Sequence, residues 1–211
     1  MSLPLKRRRE HTRERLIAAA AKVFANKGVA GATVDDLSQA AGFTRGAFYS
    51  NFASKEEVFT QTLTTFTRDL VESIYSEIDS LSEDVPPTEA MRAILRATRP
   101  QGRLWVLLEA EGMRQALVDP VVRDTFLENR DYLARALVDV MSSAHRGFPS
   151  SALSTRRSVK ELQNLAELIL ATYAQALMLD HLQGEDSTER LLDLLQTLIF
   201  PGTEELREPQ H

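Results

Sequence analysis

Apolar residues along this chain recur at every third or fourth position and nowhere alternate over the length of a strand, so the pattern predicts helices throughout. Leu16, Ile17, Ala20, Ala21, Val23 and Phe24 mark one face of a first helix, from about Thr12 to Asn26, and Lys27-Gly28 supplies its stop. Thr33 then precedes Val34-Asp35-Asp36-Leu37 as an N-cap, with two acids in the first turn, where the helix dipole favours them. Gly42 ends this second helix. Thr44 caps a third, which Ser50-Asn51 terminates after Tyr49. Ser54-Lys55-Glu56-Glu57 reads as a capping box, and from it a long fourth helix carries Phe59, Leu63, Phe66, Leu70, Ile74, Ile78 and Leu81 on one stripe.

After Ser82-Glu83-Asp84-Val85-Pro86-Pro87, Thr88 caps a helix to about Thr98, and Arg99-Pro100-Gln101-Gly102 breaks it. A new helix holds Leu104, Trp105, Leu107, Leu108 and Met113. Asp119-Pro120, an N-cap followed by proline at the first helical position, opens another towards Ala144. Residues 146–157 read as a loop, and two last helices cover about Ser158 to Leu182 and Thr188 to Phe200, with a frayed tail after Pro201. The expected fold is all-α with about nine helices, divided into residues 1–53 and residues 54–211.

The third helix is the odd one. Six residues with Gly46 in their middle cannot stand alone, because helix nucleation is unfavourable and an interior glycine costs about 1 kcal/mol relative to alanine. Two short helices around a tight turn at Gly42 form a helix-turn-helix, whose second helix serves to enter a DNA major groove. Ala47, Phe48 and Phe52 can pack inward while Thr44, Arg45 and Tyr49 stay outward, and Gly46 lets the backbone approach DNA closely.

Net charge is −5 over 211 residues, but residues 1–60 hold ten Lys/Arg against six acids, a balance of +4 that leaves −9 for the remainder. A basic head on an acidic body suits an anionic partner for the head alone. At 43% hydrophobic the chain can bury a substantial core. The absence of cysteine excludes disulfides and thiolate sites, and His11, His145, His181 and His211 have no metal-ligand spacing, so no metal is expected. No segment has the apolar length of a membrane span or a signal peptide, which places the protein in the cytoplasm with no membrane partner. Phosphate loops, Gly-x-Gly-x-x-Gly and Gly-x-Ser-x-Gly motifs are missing, so neither catalysis nor a cofactor is expected.

The run "TVDDLSQAAGFTRGAFYSNFASKEEVF", residues 33 to 59, preceded by "FANKGVAGA", resembles the DNA-binding head of the TetR (tetracycline repressor-like) family of transcriptional regulators. "WVLLEAEGMRQALVDPVVRD" is similar to the sixth and seventh helices of one subgroup of that family. The resemblance implies a repressor that binds a palindromic double-stranded DNA operator as a homodimer and is released by a small-molecule effector. It assigns phosphate contacts to Thr33, Tyr49, Asn51 and Lys55, base readout to Arg45 with Thr44, close backbone approach to Gly46, and an arm on the DNA to Lys6 through Arg9. Asn51 stands where many members carry histidine or tyrosine.

In the body, the last two helices are apolar on more than one face, and the resemblance implies that they pair into a dimeric four-helix bundle through Leu162, Ile169, Leu170, Leu177, Leu191, Leu195 and Leu198. It also implies an effector cavity in a helical regulatory domain, for which Trp105, Met113, Phe126, Tyr132 and Tyr173 are candidates, with Arg114, Asn129, His145 and Gln175 as polar partners. The same aromatic and soft residues are equally what a helical core needs. A helical protein-interaction adaptor is the rival class; the basic head counts against it, since an adaptor has no use for Arg45, Tyr49 and Lys55 arrayed around a helix-turn-helix.

Overall fold

The computed structural model describes residues 3–82, 85–142 and 158–199, and among them every regular element is a helix. The helices are α1 (Leu3–Gly31), α2 (Val34–Ala41), α3 (Arg45–Tyr49), α4 (Lys55–Ser80), α5 (Pro87–Ala116), α6 (Pro120–Ser142), α7 (Val159–Gln183) and α8 (Thr188–Ile199). His145, the expected loop at 146–157 and the tail after Pro201 lie outside the described residues. Two compact units emerge, one of Met1–Asp69 with Leu104–Arg130 and one of Leu70–Arg103 with Asp131–His211.

Eight described helices stand where about nine were expected, because α5 runs unbroken through Pro100. An interior proline costs about 3 kcal/mol through its missing N–H and its clash with the preceding turn. Tertiary packing on both sides of Pro100 outweighs that. Leu95 and Thr98 are buried before it. Two residues beyond it, a Cβ on Gly102 would come within 2.9 Å of Leu177, so α5 and α7 lie very close. Arg99, next to the proline, pins the α7–α8 turn by donating to Asp180 Oδ2 and to Thr188 Oγ1, both at 2.9 Å, and pairing with Asp186 at 2.9 Å. Asp180 is buried, and its other oxygen accepts the Ser187 N–H at 3.0 Å.

Helix α1 begins some nine residues ahead of the apolar pattern. Arg7, Arg8, Arg9 and Glu10 are exposed there, and arginine and glutamate are good helix formers that sustain a helix without a buried face. The expected stop appears as a kink: Gly28 has φ 67°, ψ 170°, and the chain then makes one further turn, with the Ala32 N–H bonding the Gly28 carbonyl at 3.1 Å. Just after the break, Glu111 of α5 accepts the Val29 N–H at 2.7 Å. Arg114 donates to both oxygens of Glu111, at 3.0 and 2.8 Å, and Gln115 adds a third donor at 3.0 Å. Burial pushes the Glu111 carboxyl up, but Arg114, the Val29 N–H and Gln115 outweigh it and hold the group down at about 2.

Around this link the first unit is filled by Leu16, Ala20, Phe24, Leu37, Phe48, Phe52, Val58, Phe59 and Leu63, with Leu108 of α5 and Val122 of α6 in the same core. Phe24 and Phe59 meet edge to face at 5.2 Å, joining α1 to α4.

Candidate nucleic-acid interface

Local sequence builds the helix-turn-helix. Thr33 caps α2: its Oγ1 accepts the Asp36 N–H at 3.1 Å and donates to Asp36 Oδ2 at 2.8 Å, while the Thr33 N–H reaches the same oxygen at 3.0 Å. Lys27 reaches Asp36 at 2.6 Å, and that bond first, then the two from Thr33, lowers the Asp36 carboxyl to about 2. At the other end Gly42 takes φ 73°, the left-handed C-cap that glycine adopts without steric cost. The Phe43 N–H then returns to the Ser38 carbonyl at 2.8 Å, and the chain turns into α3.

Five residues make α3, and its neighbours hold it. Thr44 accepts the Ala47 N–H at 3.2 Å as N-cap. Phe48 is fully buried and packs on Phe52 at 5.9 Å between ring centroids. From α1, Arg13 lies 4.2 Å over the Phe52 ring and donates to the Asn51 carbonyl, and Arg15 lies over Phe43 and donates to the Ala41 carbonyl at 3.0 Å. The capping box at α4 forms with a shift of one residue: Ser54 Oγ accepts the Glu57 N–H at 3.1 Å, and Glu57 reaches back to the Ala53 N–H at 2.7 Å.

With the fold secured from inside, Thr33, Thr44, Arg45, Gly46 and Tyr49 stand exposed, Tyr49 by half of its surface. Arg45 projects beside α2, its Nη1 3.3 Å from Asp35 Oδ2 and its Nη2 3.5 Å from the Tyr49 hydroxyl. Two of the expected phosphate ligands have other work. Asn51 is buried, with its side-chain amide donating to the Ala47 carbonyl at 2.7 Å as a stop for α3. Lys55 is half-buried and bonds the carbonyls of Ala32 at 2.9 Å and Ala30 at 3.3 Å, closing the end of α1. Arg7, Arg8 and Arg9 are exposed on the first turns of α1, helical where an arm was expected. Sequence reasoning missed Asp35 as a partner of Arg45, and Arg13 and Arg15 as braces; nothing local in the sequence announces pairs ten or more residues apart.

Of the expected effector residues, Trp105, Met113 and Phe126 lie in the first unit and Tyr132 and Tyr173 in the second. Met113 and Tyr132 are 50% and 41% exposed. Phe126 packs on Gly112, where a Cβ would meet it at 2.9 Å, so it serves the contact between α5 and α6. Trp105 is buried, and Tyr173 bonds the Thr98 hydroxyl at 2.6 Å, with burial raising the phenol's pKa. Arg114 is committed to Glu111, and Asn129 donates to Thr64 at 3.4 Å. A groove of about 380 Å³ opens between α7 and α8, lined by Ala171, Gln175, Leu179, Arg190 and Leu194 among others. A second, of about 570 Å³, lies between α1 and α2. Gln175, expected as a polar partner, lines the first of these, and none of the five expected aromatic and soft residues lines either.

The expected dimer residues Leu162, Leu170, Leu177, Leu191 and Leu195 are buried within a single chain, Ile169 is half-buried, and the Leu198 side chain lies outside the described residues. Apolar side chains left outward on the same helices are Val159, Leu168, Met178, Leu182 and Leu194. On a helix with two apolar faces, spacing alone does not say which face is the inner one.

Residues 16–62, from α1 through the first turns of α4, match the family model of bacterial regulatory proteins, tetR family. The helix-turn-helix head at residues 16–62 is that of the TetR family. The chain is 26% identical over 198 residues to the transcriptional repressor AcnR of Corynebacterium glutamicum, covering 94% of this chain and 95% of that one. Likeness to the repressor DhaR of Mycobacterium sp. GP1 is 34% over 100 residues, 46% of this chain and half the length of that protein. The solved structure of FadR from Bacillus subtilis, in complex with stearoyl-CoA, has the same fold, with a TM-score of 0.67 at 14% identity over 89% of this chain and 97% of that one. A chain with this head is a helix-turn-helix DNA-binding transcriptional regulator. Among its described residues no helix is long and apolar enough to cross a membrane, and no group of acids and histidines could hold a metal ion.

Proposed function

We propose that this regulator is a cytoplasmic repressor that binds a palindromic operator as a homodimer, with residues 1–53 as the DNA-binding head and residues 54–211 as the regulatory part. The observation that carries the reading is the outward face of α3, where Thr44, Arg45, Gly46 and Tyr49 are exposed while every inward residue of the helix-turn-helix is spent on packing. Arg45 reads guanine through O6 and N7, and Tyr49, Thr33 and the arginines at 7 to 9 meet phosphates. The repressor names of AcnR and DhaR support repression as the direction of control.

The outward leucines of α7 and α8, with the groove between those helices, support a seam for the second copy. Two heads fixed on such a dimer read half-sites one helical turn apart, about 34–36 Å. Release falls to a small, mainly apolar effector, which lowers operator affinity only by the factor by which it prefers the unbound form. Selection of bound duplexes from a random pool tests the core of this reading: a palindromic consensus is expected, and recovery of unrelated sequences with a uniformly salt-sensitive affinity would refute specific recognition. The selected duplex then serves to screen for molecules that release it.

A further inference from the structure

The geometry points to Asp35 as a specificity determinant that acts through Arg45, an assignment we make on the reading of Arg45 as a base contact. Arginine on an open surface samples many rotamers, and fixing it costs side-chain entropy at the moment of binding. Here three features restrain it beforehand. Asp35 Oδ2 lies 3.3 Å from Nη1, the Tyr49 hydroxyl lies 3.5 Å from Nη2, and the guanidinium carbon sits 5.6 Å from the centre of the Tyr49 ring. A guanidinium has five N–H donors. One from each Nη is used, so Nε–H and one further N–H on each Nη remain for the parallel pair that guanine requires.

Asp35 also sets the cost of a wrong sequence. It is exposed on the first turn of α2, beside the exposed face of α3, so it brings a negative charge to a surface that meets phosphates. With guanine under Arg45, the carboxylate is neutralised by an ordered guanidinium. Over another base, an Arg45 that turns to a phosphate must leave Asp35, and the carboxylate then faces the DNA uncompensated. A repulsive element of this kind raises discrimination while lowering affinity for every sequence. As a stabilising contact the pair matters little, since the side chains of Arg45 and Asp35 are 61% and 70% exposed and such ion pairs contribute little to folding. Substitution at Asp35 therefore leaves a folded head.

The experiment measures binding of the full chain to the selected operator, to its single-base variants and to random duplex, for the parent, Asp35→Ala, Asp35→Asn, Arg45→Ala and the double variant Asp35→Ala/Arg45→Ala. Arg45→Ala identifies the base pair at which discrimination relaxes. Asp35→Ala is expected to reduce discrimination at that same base pair about tenfold, within the range one bidentate contact supplies, while binding random duplex more tightly than the parent. Asp35→Asn, which keeps an acceptor but no charge, should retain part of the discrimination and gain the same random-duplex affinity. In the Arg45→Ala background, removal of Asp35 should no longer change discrimination. Full discrimination in Asp35→Ala, or equal losses on operator and random duplex, overturns the role of Asp35 and leaves Arg45 as reader. Unchanged discrimination in Arg45→Ala overturns the base contact and the role of Asp35 with it.

Discussion

Glu111→Gln tests how firmly α5 is tied to the DNA-binding unit. In the parent the carboxylate accepts the Val29 N–H at the α1 kink and takes three side-chain hydrogen bonds, two of them from a charged guanidinium. Its side chain is 12% exposed but that of Arg114 is 54% exposed, so solvent screens the ion pair in part. Depression of the carboxyl from 4.5 to about 2, at 1.36 kcal/mol for each unit, sets an upper bound of about 3 kcal/mol, and solvent around Arg114 reduces it to about 1–2 kcal/mol of stability. Because the folded-state pKa is the lower one, that contribution is complete above pH 4.5 and disappears as pH falls from 4.5 towards 2. Glutamine keeps the shape and can still accept from Val29, but its NH₂ opposes Arg114, so the variant should lose about 1–3 kcal/mol at neutral pH.

Urea unfolding, followed by far-ultraviolet circular dichroism at neutral pH and again at about pH 3, reads both quantities. The denaturation midpoint of Glu111→Gln should lie below the parent's at neutral pH, and the gap should narrow at the acid end, where the parent's carboxylate is being protonated. Equal midpoints at neutral pH, or a gap that does not change with pH, would refute an ionised latch at Gly28-Val29. Arg114→Gln is the companion measurement: removing the guanidinium lets the Glu111 carboxyl rise towards 4.5, so the acid loss of stability, which still starts near pH 4.5, should be smaller and complete at a higher pH than in the parent.

Leu194→Asp, at an outward position, should give folded monomers by sedimentation, whereas Leu170→Asp, at a buried one, should lower the thermal midpoint outright; a dimeric Leu194→Asp would put the seam on another face. Gly42→Ala forces a Cβ into a backbone at φ 73° and should cost about 1–2 kcal/mol of stability, and an unchanged unfolding midpoint would mean that the turn adopts another geometry. Replacing Arg7, Arg8 and Arg9 together by glutamine should reduce the slope of log affinity against log salt by about 0.9 for each phosphate that is no longer neutralised, on operator and random duplex alike, while an unchanged slope takes that segment off the DNA.

Features legible in the sequence are those whose partners lie within four residues. Thr33 with Asp36, Gly42 with Ser38 and Gln39, Thr44 with Ala47, and Ser54 with Glu57 all close near where their spacing puts them. These caps define the helix-turn-helix without any tertiary information. What stays hidden depends on distant chain. Pro100 reads as a break because propensity is local, and only the close pass of Gly102 against Leu177 and the anchoring of Arg99 reveal why the helix continues. Lys55 reads as a surface cation because its acceptors, the carbonyls of Ala30 and Ala32, are more than twenty residues away. Glu111 and Val29 are eighty-two residues apart.

That division bears on how readout can change within such a head. Helix α3 is held by Phe48, by the Thr44 cap and, through its flanks, by Arg13 and Arg15 from α1. Of its outward residues only Thr44 serves the fold as well, since losing a cap costs about 1 kcal/mol. Arg45 and half-exposed Tyr49 lie at the edge of the core, and Gly46 is helical with room for a Cβ, whose nearest neighbour would be Thr44 Oγ1 at 3.8 Å. Residues at 45, 46 and 49 can therefore be exchanged at little cost in stability. The acid at position 35 is tied to one of them by charge, so an exchange at 45 that removes the cation leaves Asp35 facing DNA uncompensated, and the two positions should alter readout as a pair.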